Sequence, residues 1–235
     1  MIPIADDPPR RSFPWVTVTF ILINVLVFVY ELTLGPRQLD RFMQAVGVVP
    51  LEIVTGVDLP PPAVTPGIPY IALFTSMFVH GGFMHIIGNM LYLWVFGDNV
   101  EDSFGHMRFI AFYLTCGVLA GLAQVAVSPT STVPSIGASG AVAGVLGAYL
   151  LIFPHAAVRT MLFIGPFITF PRISAVILIG FWFVTQLFSG LASLGVETEQ
   201  TGGVAFWAHV GGFVAGLVIA MAFRPRSTSY SRPAW

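Results

Sequence analysis

The 235-residue sequence has no lysine, a single cysteine and little charge of either sign. Asp, Glu, Lys and Arg make up 9% of it, against about 25% in a soluble domain. With 56% hydrophobic residues and a mean hydropathy of +0.85, that scarcity excludes a soluble globular chain and indicates an integral membrane protein with several spans. The net charge of −1 gives no argument for nucleic acid as a partner. One cysteine excludes an internal disulfide, and Cys116, in the middle of an apolar run, reads as a small core hydrophobe. Ionisable residues are also missing from the predicted spans. Only Glu31 comes near, at the outer end of the first, whereas ion pumps and proton-coupled transporters carry such charges within the membrane. A cleavable signal is not expected, because the first apolar run is longer than a signal core and lacks a small-x-small site.

What is present is organised as six apolar runs. The expected spans are Trp15–Leu34, Met77–Phe96, Phe109–Val127, Gly137–Phe153, about Ile173–Leu194 and about Gly203–Phe223. The expected fold is an all-α membrane bundle of six transmembrane helices. Residues 1–14 form an N-terminal segment, 15–223 the membrane domain and 224–235 a tail. Between the first two spans, Leu39–Val49 has the pattern of an amphipathic helix lying in the interface. Arginine sets the orientation. An inside N-terminus places Arg10, Arg11, Arg108, Arg159, Arg172, Arg224, Arg226 and Arg232 on one side, and only Arg37 and Arg41 on the other. This bias predicts both termini in the cytoplasm.

Polar residues within the spans are few enough to weigh singly. Ser139 opens the fourth span within Gly137-Ala138-Ser139-Gly140, where free backbone N–H groups and the positive end of the helix dipole gather. It is either a nucleophile with oxyanion donors at hand or a helix N-cap. His85 and Asn89, four apart, share one face of the second span. His209 lies two turns into the sixth. A count of 1.5 Å per residue puts Ser139 roughly 8 Å and His209 roughly 9 Å below the outer surface. His209, Gly212, Phe213 and Gly216 form one stripe, whose glycines would let the sixth span approach Gly140 and Gly144 of the fourth. That contact brings an imidazole to the serine hydroxyl. No acidic residue in the spans can orient it, so the arrangement would be a dyad. His85 and Asn89 would then donate to an oxyanion, or else serve as interhelical glue. His80, His85 and His209 are three histidines that could also bind a metal. No carboxylate accompanies them and the HExxH pattern is absent, so no metal and no cofactor is expected. Asn24, Gln124 and Gln186 read as interhelical hydrogen bonders.

Three motifs carry a family resemblance. Gly137-Ala138-Ser139-Gly140 resembles the GxSG motif of the rhomboid intramembrane serine proteases. Ala208-His209-Val210-Gly211-Gly212 resembles their last-helix histidine motif. The stretch from His80 through His85 to Asn89 and Met90 is similar to their second-helix signature. The resemblance covers Pro14 to Phe223. It implies the six-helix rhomboid fold, Ser139 as nucleophile, His209 as general base and acid, and His85 and Asn89 as oxyanion donors. It implies transmembrane protein substrates in a lipid bilayer, with the cell (inner) membrane as the expected location. Two positions depart from the pattern. A Trp-Arg pair of the first outer loop is replaced by Tyr70-Ile71-Ala72, and an aromatic expected four residues after the serine is Ala143. Phe181, Trp182, Phe183 and Phe188 of the fifth span form either a gate for substrate or ordinary lipid-facing aromatics. A non-catalytic relative that binds transmembrane clients is the alternative function.

Overall fold

A computed structural model describes residues 1–194 and 204–223. It is mostly helical. Trp15–Leu32 (α1) is followed by the short helices Pro36–Val46 (α2) and Pro50–Thr55 (α3). The turn Ala72–Thr75 (α4) sits between two 3-10 turns. Then come Phe83–Phe104 (α5), His106–Val127 (α6), Ser139–Ile152 (α7), Ala175–Ala192 (α8) and Phe206–Phe223 (α9). Four of these helices, α1, α6, α8 and α9, are each long and apolar enough to cross a membrane. α5 qualifies together with the segment Pro69–Phe78, from which it is bent by 80°. α7 is apolar but has only 14 residues.

Two sequence expectations are corrected here. The second span is expected at Met77–Phe96, whereas the helix runs from Phe83 to Phe104. Gly82, with φ +157°, breaks the chain just before Phe83, in a conformation that a side chain rarely adopts. The helix then continues two turns past the apolar run because its carboxylates have buried work. Glu101 is fully buried. It accepts from Val16 N–H (2.9 Å), Thr17 N–H (2.7 Å) and the Thr17 hydroxyl (2.7 Å), so it caps the free N–H groups at the start of α1. His106 Nδ1 meets the same carboxylate at 2.6 Å. Asp102 accepts from the backbone N–H of Arg11 and Ser12. Ionisable side chains therefore cluster at the C-terminal end of α5, past the apolar run, and they hold that end to the N-terminal segment and to the start of α1.

The second correction concerns the all-α class. Ile2–Asp6 (β1) pairs antiparallel with Ala157–Ile164 (β2), which also pairs with Phe167–Thr169 (β3) and Arg172–Ser174 (β4). The β2–β3 hairpin turns at Gly165, φ +57°, and its β-branched and aromatic residues suit a pleated surface. This small sheet joins the N-terminal segment to the α7–α8 link, at the end of the bundle that carries the α5–α6 turn. At the opposite end, the α6–α7 link meets the α2–α3 region. Val48 and Ser135 form an antiparallel bridge, and Leu51 N–H donates to Ser131 O at 3.0 Å. Successive links thus alternate between ends.

Within a core that includes Phe96, Phe109, Tyr113 and Tyr149, α7 meets α9 along a seam of small residues. Every residue from Gly140 to Tyr149 is buried. A Cβ on Gly212 would strike the Gly140 carbonyl, one on Gly216 the Gly144 carbonyl, and one on Gly147 the Phe213 carbonyl. Backbone approaches backbone, as small residues allow where the surroundings are as apolar as the side chains. The expected stripe and its partner glycines are in contact. Cys116 packs behind Gly144 and is buried. The outer faces of α1, α6, α8 and α9 expose large apolar side chains such as Leu26, Leu119, Phe188 and Val218.

Candidate active site

A cavity of about 930 Å³ opens among α5, α7, α8 and α9. Ser139, His209, His85 and Asn89 all line it, so the structure brings the four expected residues together from three helices. His80 is adjacent. Its ring packs edge-on against His85 at 5.0 Å, and both its nitrogens are buried without a hydrogen-bond partner. Among the described residues no three His, Cys, Asp or Glu converge as a metal site.

Ser139 is the first residue of α7. The cap position is Ala138, and no side-chain cap bond is made, so the N-cap alternative for Ser139 is not what the chain adopts. The link before it keeps its backbone groups paired. Gly137 N–H donates to Ser76 O at 2.8 Å and Ser135 N–H to Val48 O at 2.8 Å, as non-helical backbone at membrane depth requires. Gly137 has φ +120°. A Cβ there would lie 2.6 Å from His85 Nε2 and 3.6 Å from Ser139 Oγ. Glycine is needed twice over, for the backbone angle and for the room that lets the imidazole sit beside the serine turn.

His85 Nδ1 accepts a long hydrogen bond from Gly81 N–H, at 3.4 Å. That leaves Nε2 as the N–H of the neutral ring, facing Gly137. Asn89 Nδ2 is buried with no hydrogen-bond partner. A buried amide donor without a partner calls for a reason, and this one lies on the cavity wall one helical turn from His85. Two side-chain donors without a protein partner therefore belong to residues that line the same space.

His209 is held from α8. Its Nδ1 is 2.7 Å from Gln186 Oε1, and the Trp182 ring lies 5.9 Å from its own, tilted by 36°. No hydrogen bond joins Ser139 to His209 in this structure. The interhelical bond expected of Gln186 is therefore real, and its partner is the candidate base. The orienting group is thus an amide, where the sequence offers no acid within the spans for that role. Of the other two intramembrane amides, Asn24 donates to Phe20 O of its own helix at 2.7 Å, and Gln124 Oε1 is without a partner. Neither makes the interhelical bond that was expected.

A helical membrane bundle with a serine, two histidines and an asparagine on one internal cavity is the class these observations define. Residues 69–226 match the Rhomboid domain family, and the chain belongs to it. It is 32% identical over 150 residues to the rhomboid protease GluP of Bacillus subtilis, a match covering 64% of this chain and 25% of that protein. It is 29% identical over 153 residues to the mitochondrial rhomboid protein 1 of Saccharomyces cerevisiae, covering 63% and 40%. It is 28% identical over 229 residues to RHOMBOID-like protein 4 of Arabidopsis thaliana, covering 89% and 52%. The chain thus spans between a quarter and about half of the length of these relatives.

Proposed function

We propose that the chain is an intramembrane serine endopeptidase that cleaves transmembrane-segment substrates near the outer face of the membrane. The observation that carries this reading is the cavity itself. In a bundle otherwise lined by apolar groups, Ser139, His209, His85 and Asn89 face one space, and the Asn89 amide has no partner within the protein. The catalytic pair is Ser139 and His209. His209 Nε2 takes the hydroxyl proton as Ser139 Oγ attacks the substrate carbonyl carbon. The negative charge that develops on the carbonyl oxygen is met by His85 Nε2–H, Asn89 Nδ2–H and the Ser139 backbone N–H. Collapse breaks the C–N bond, and His209 gives its proton to the leaving amine. Water, with His209 again as base, then releases the acyl group from Ser139. No metal or cofactor takes part. The mouth of the cavity supplies water that the hydrocarbon lacks.

The topology that goes with this reading has six spans. The short α7 is the fourth, buried from Gly140 to Tyr149, with both termini cytoplasmic, a placement that the arginine distribution supports. The membrane domain is residues 15–223, between the segments 1–14 and 224–235, in the cell (inner) membrane. The link with Glu197 and Glu199, and the arginines of the tail, lie outside the described residues. One observation favours the second reading, a rhomboid-like protein that binds transmembrane clients without cutting them: the missing Ser139–His209 hydrogen bond. Reconstituted protein is expected to cleave a single-span test substrate and to react with a fluorophosphonate, and Ser139→Ala is expected to lose both. A folded wild-type protein that does neither favours client binding.

A further inference from the structure

We propose that Gln186 is the positioning residue of the base: it fixes the His209 tautomer and makes the base competent only while α8 is seated on α9. The inference rests on the reading of His209 as general base and deepens it.

A histidine that takes a serine proton must be neutral, with its lone pair on the nitrogen facing the serine. Which nitrogen carries the proton is set by the bond that the other one makes. The Gln186 carbonyl oxygen, 2.7 Å from His209 Nδ1, has no proton to give. The ring must therefore donate from Nδ1, which leaves Nε2 as the acceptor. Gln186 does this without charge, so it selects the tautomer without a carboxylate in an apolar bundle, where one would be costly.

The grip has a second part. Trp182 precedes Gln186 by one helical turn on the same face of α8 and lies against the imidazole. Ala143, four residues after the serine, is buried in α7 and does not line the cavity. The ring is thus steadied from α8, by an edge bond and an aromatic neighbour. The α8–α9 register that makes this possible is set on either side. Trp207 Nε1–H donates to Gly190 O at 3.1 Å, and Phe183 stacks on Phe213 at 4.4 Å between centroids.

The test is made on the full chain in lipid nanodiscs with ¹⁵N-histidine labelling, the His209 signals being assigned by their loss in His209→Ala. The wild-type ring is expected in the Nδ1–H form. In Gln186→Met, of similar length but without the acceptor, the two tautomers should mix. The fluorophosphonate labelling rate and kcat should fall roughly tenfold, the worth of one hydrogen bond of about 1.4 kcal/mol, with KM unchanged because Gln186 does not reach substrate. Gln186→Glu, which keeps an accepting oxygen, should restore the tautomer and most of the rate. A wild-type ring in the Nε2–H form overturns the role of Gln186, and so does a Gln186→Met protein with unchanged tautomer and kcat. The wild-type spectrum decides even if Gln186→Met does not fold. A wild-type protein with the Nδ1–H ring that neither labels nor cleaves instead overturns the protease reading beneath the proposal.

Discussion

Two of the helices packed on His209's helix hold it in opposite ways. α7 meets α9 backbone to backbone, through Gly140, Gly144, Gly147, Gly212 and Gly216. α8 meets it through a few side chains, and of its residues only Ala175, Leu178, Ile179 and Gly190 are buried. Val176, Ile177, Phe181, Val184, Phe188 and Leu191 face outward. The serine therefore comes from the least yielding part of the molecule, since interiors packed this closely do not deform gradually. The groups that orient the histidine come from a helix with little burial to hold it. A site that must admit a peptide segment and still keep its nucleophile in place is served by that division. One wall is fixed, and the other can shift at small cost.

The largest effect should come from α5, which lines the same cavity beside the fixed α7. Asn89→Ala removes an oxyanion donor whose amide already lies unpaired at the cavity. Loss of one such donor in a soluble serine protease costs about 10²–10³ in kcat. A loss of this order is expected, with thermal stability unchanged, because Asn89 Nδ2 bonds nothing in the resting fold. His85→Ala should behave alike, tempered by its edge contact with His80. Unchanged kcat in both single variants and in the double variant would return these residues to structural glue.

Next comes the seam. A Cβ on Gly216 would strike the Gly144 backbone, and backbone cannot rotate aside. Gly216→Ala should lower stability by at least the ~1–3 kcal/mol usual for overpacking, and cleavage should fall with it. A thermal melt and a cleavage assay on the same sample check both. A full melt temperature in Gly216→Ala would mean that the α7–α9 contact is looser than this geometry.

The parts of this arrangement differ in how far the chain's own order reveals them. Ser139, His209 and the glycine stripe are legible because each is a local pattern: a serine after a glycine turn, and small residues at helical spacing. Their meeting follows from one assumption, that the stripes face each other. The α5 boundaries are not legible from hydropathy. The apolar run Met77–Phe96 crosses Gly82, where the backbone cannot stay helical, and the real helix ends among carboxylates whose partners lie 85 residues earlier. The β1–β2 pairing is less legible still, since it joins residues more than 150 apart, such as Ile2 and Met161. Gln186 shows as a polar residue in a span. That it meets His209 depends on how α8 is rotated about its axis, which an all-round apolar helix does not encode.

A smaller effect is expected at the C-terminal end of α7. Asp6 of β1 accepts from the Tyr149 hydroxyl at 2.6 Å and from Asn99 Nδ2 at 2.8 Å. Burial, and the nearby charge of Asp98, push its pKa up from 3.8 to about 7, although the hydrogen bonds from Tyr149 and Asn99 act the other way. Arg10, 3.5 Å from Asp98, is the neighbouring cation. A folded pKa above the unfolded one means that the docked strand holds the proton more tightly. Its stability is therefore full below about pH 4 and declines as the pH rises to about 7. Amide exchange along β1 should be slower at about pH 5 than at about pH 8 after correction for intrinsic rates. Asp6→Asn keeps an accepting oxygen and should flatten the difference. Equal protection at the two pH values in the wild-type protein would remove the Asp6 carboxyl from the account.

The smallest effect isolates the yielding wall. Gly180 lies on α8 two residues before Trp182, and a Cβ built there meets no atom within 4 Å. Glycine inside a helix is less favourable than alanine by about 1 kcal/mol, so nothing in the fold opposes Gly180→Ala. The melt temperature should stay level or rise slightly, in contrast to the same change at Gly216, and the cleavage rate should hold if α8 still docks through Gln186 and Trp207. Stability and rate then separate informatively. A stiffer α8 that melts higher but cuts more slowly would show that bending near Gly180 belongs to substrate access. A fall in both would show that the Gly180 face is covered in the membrane, and the contrast between a packed α7 and an exposed α8 would not hold there.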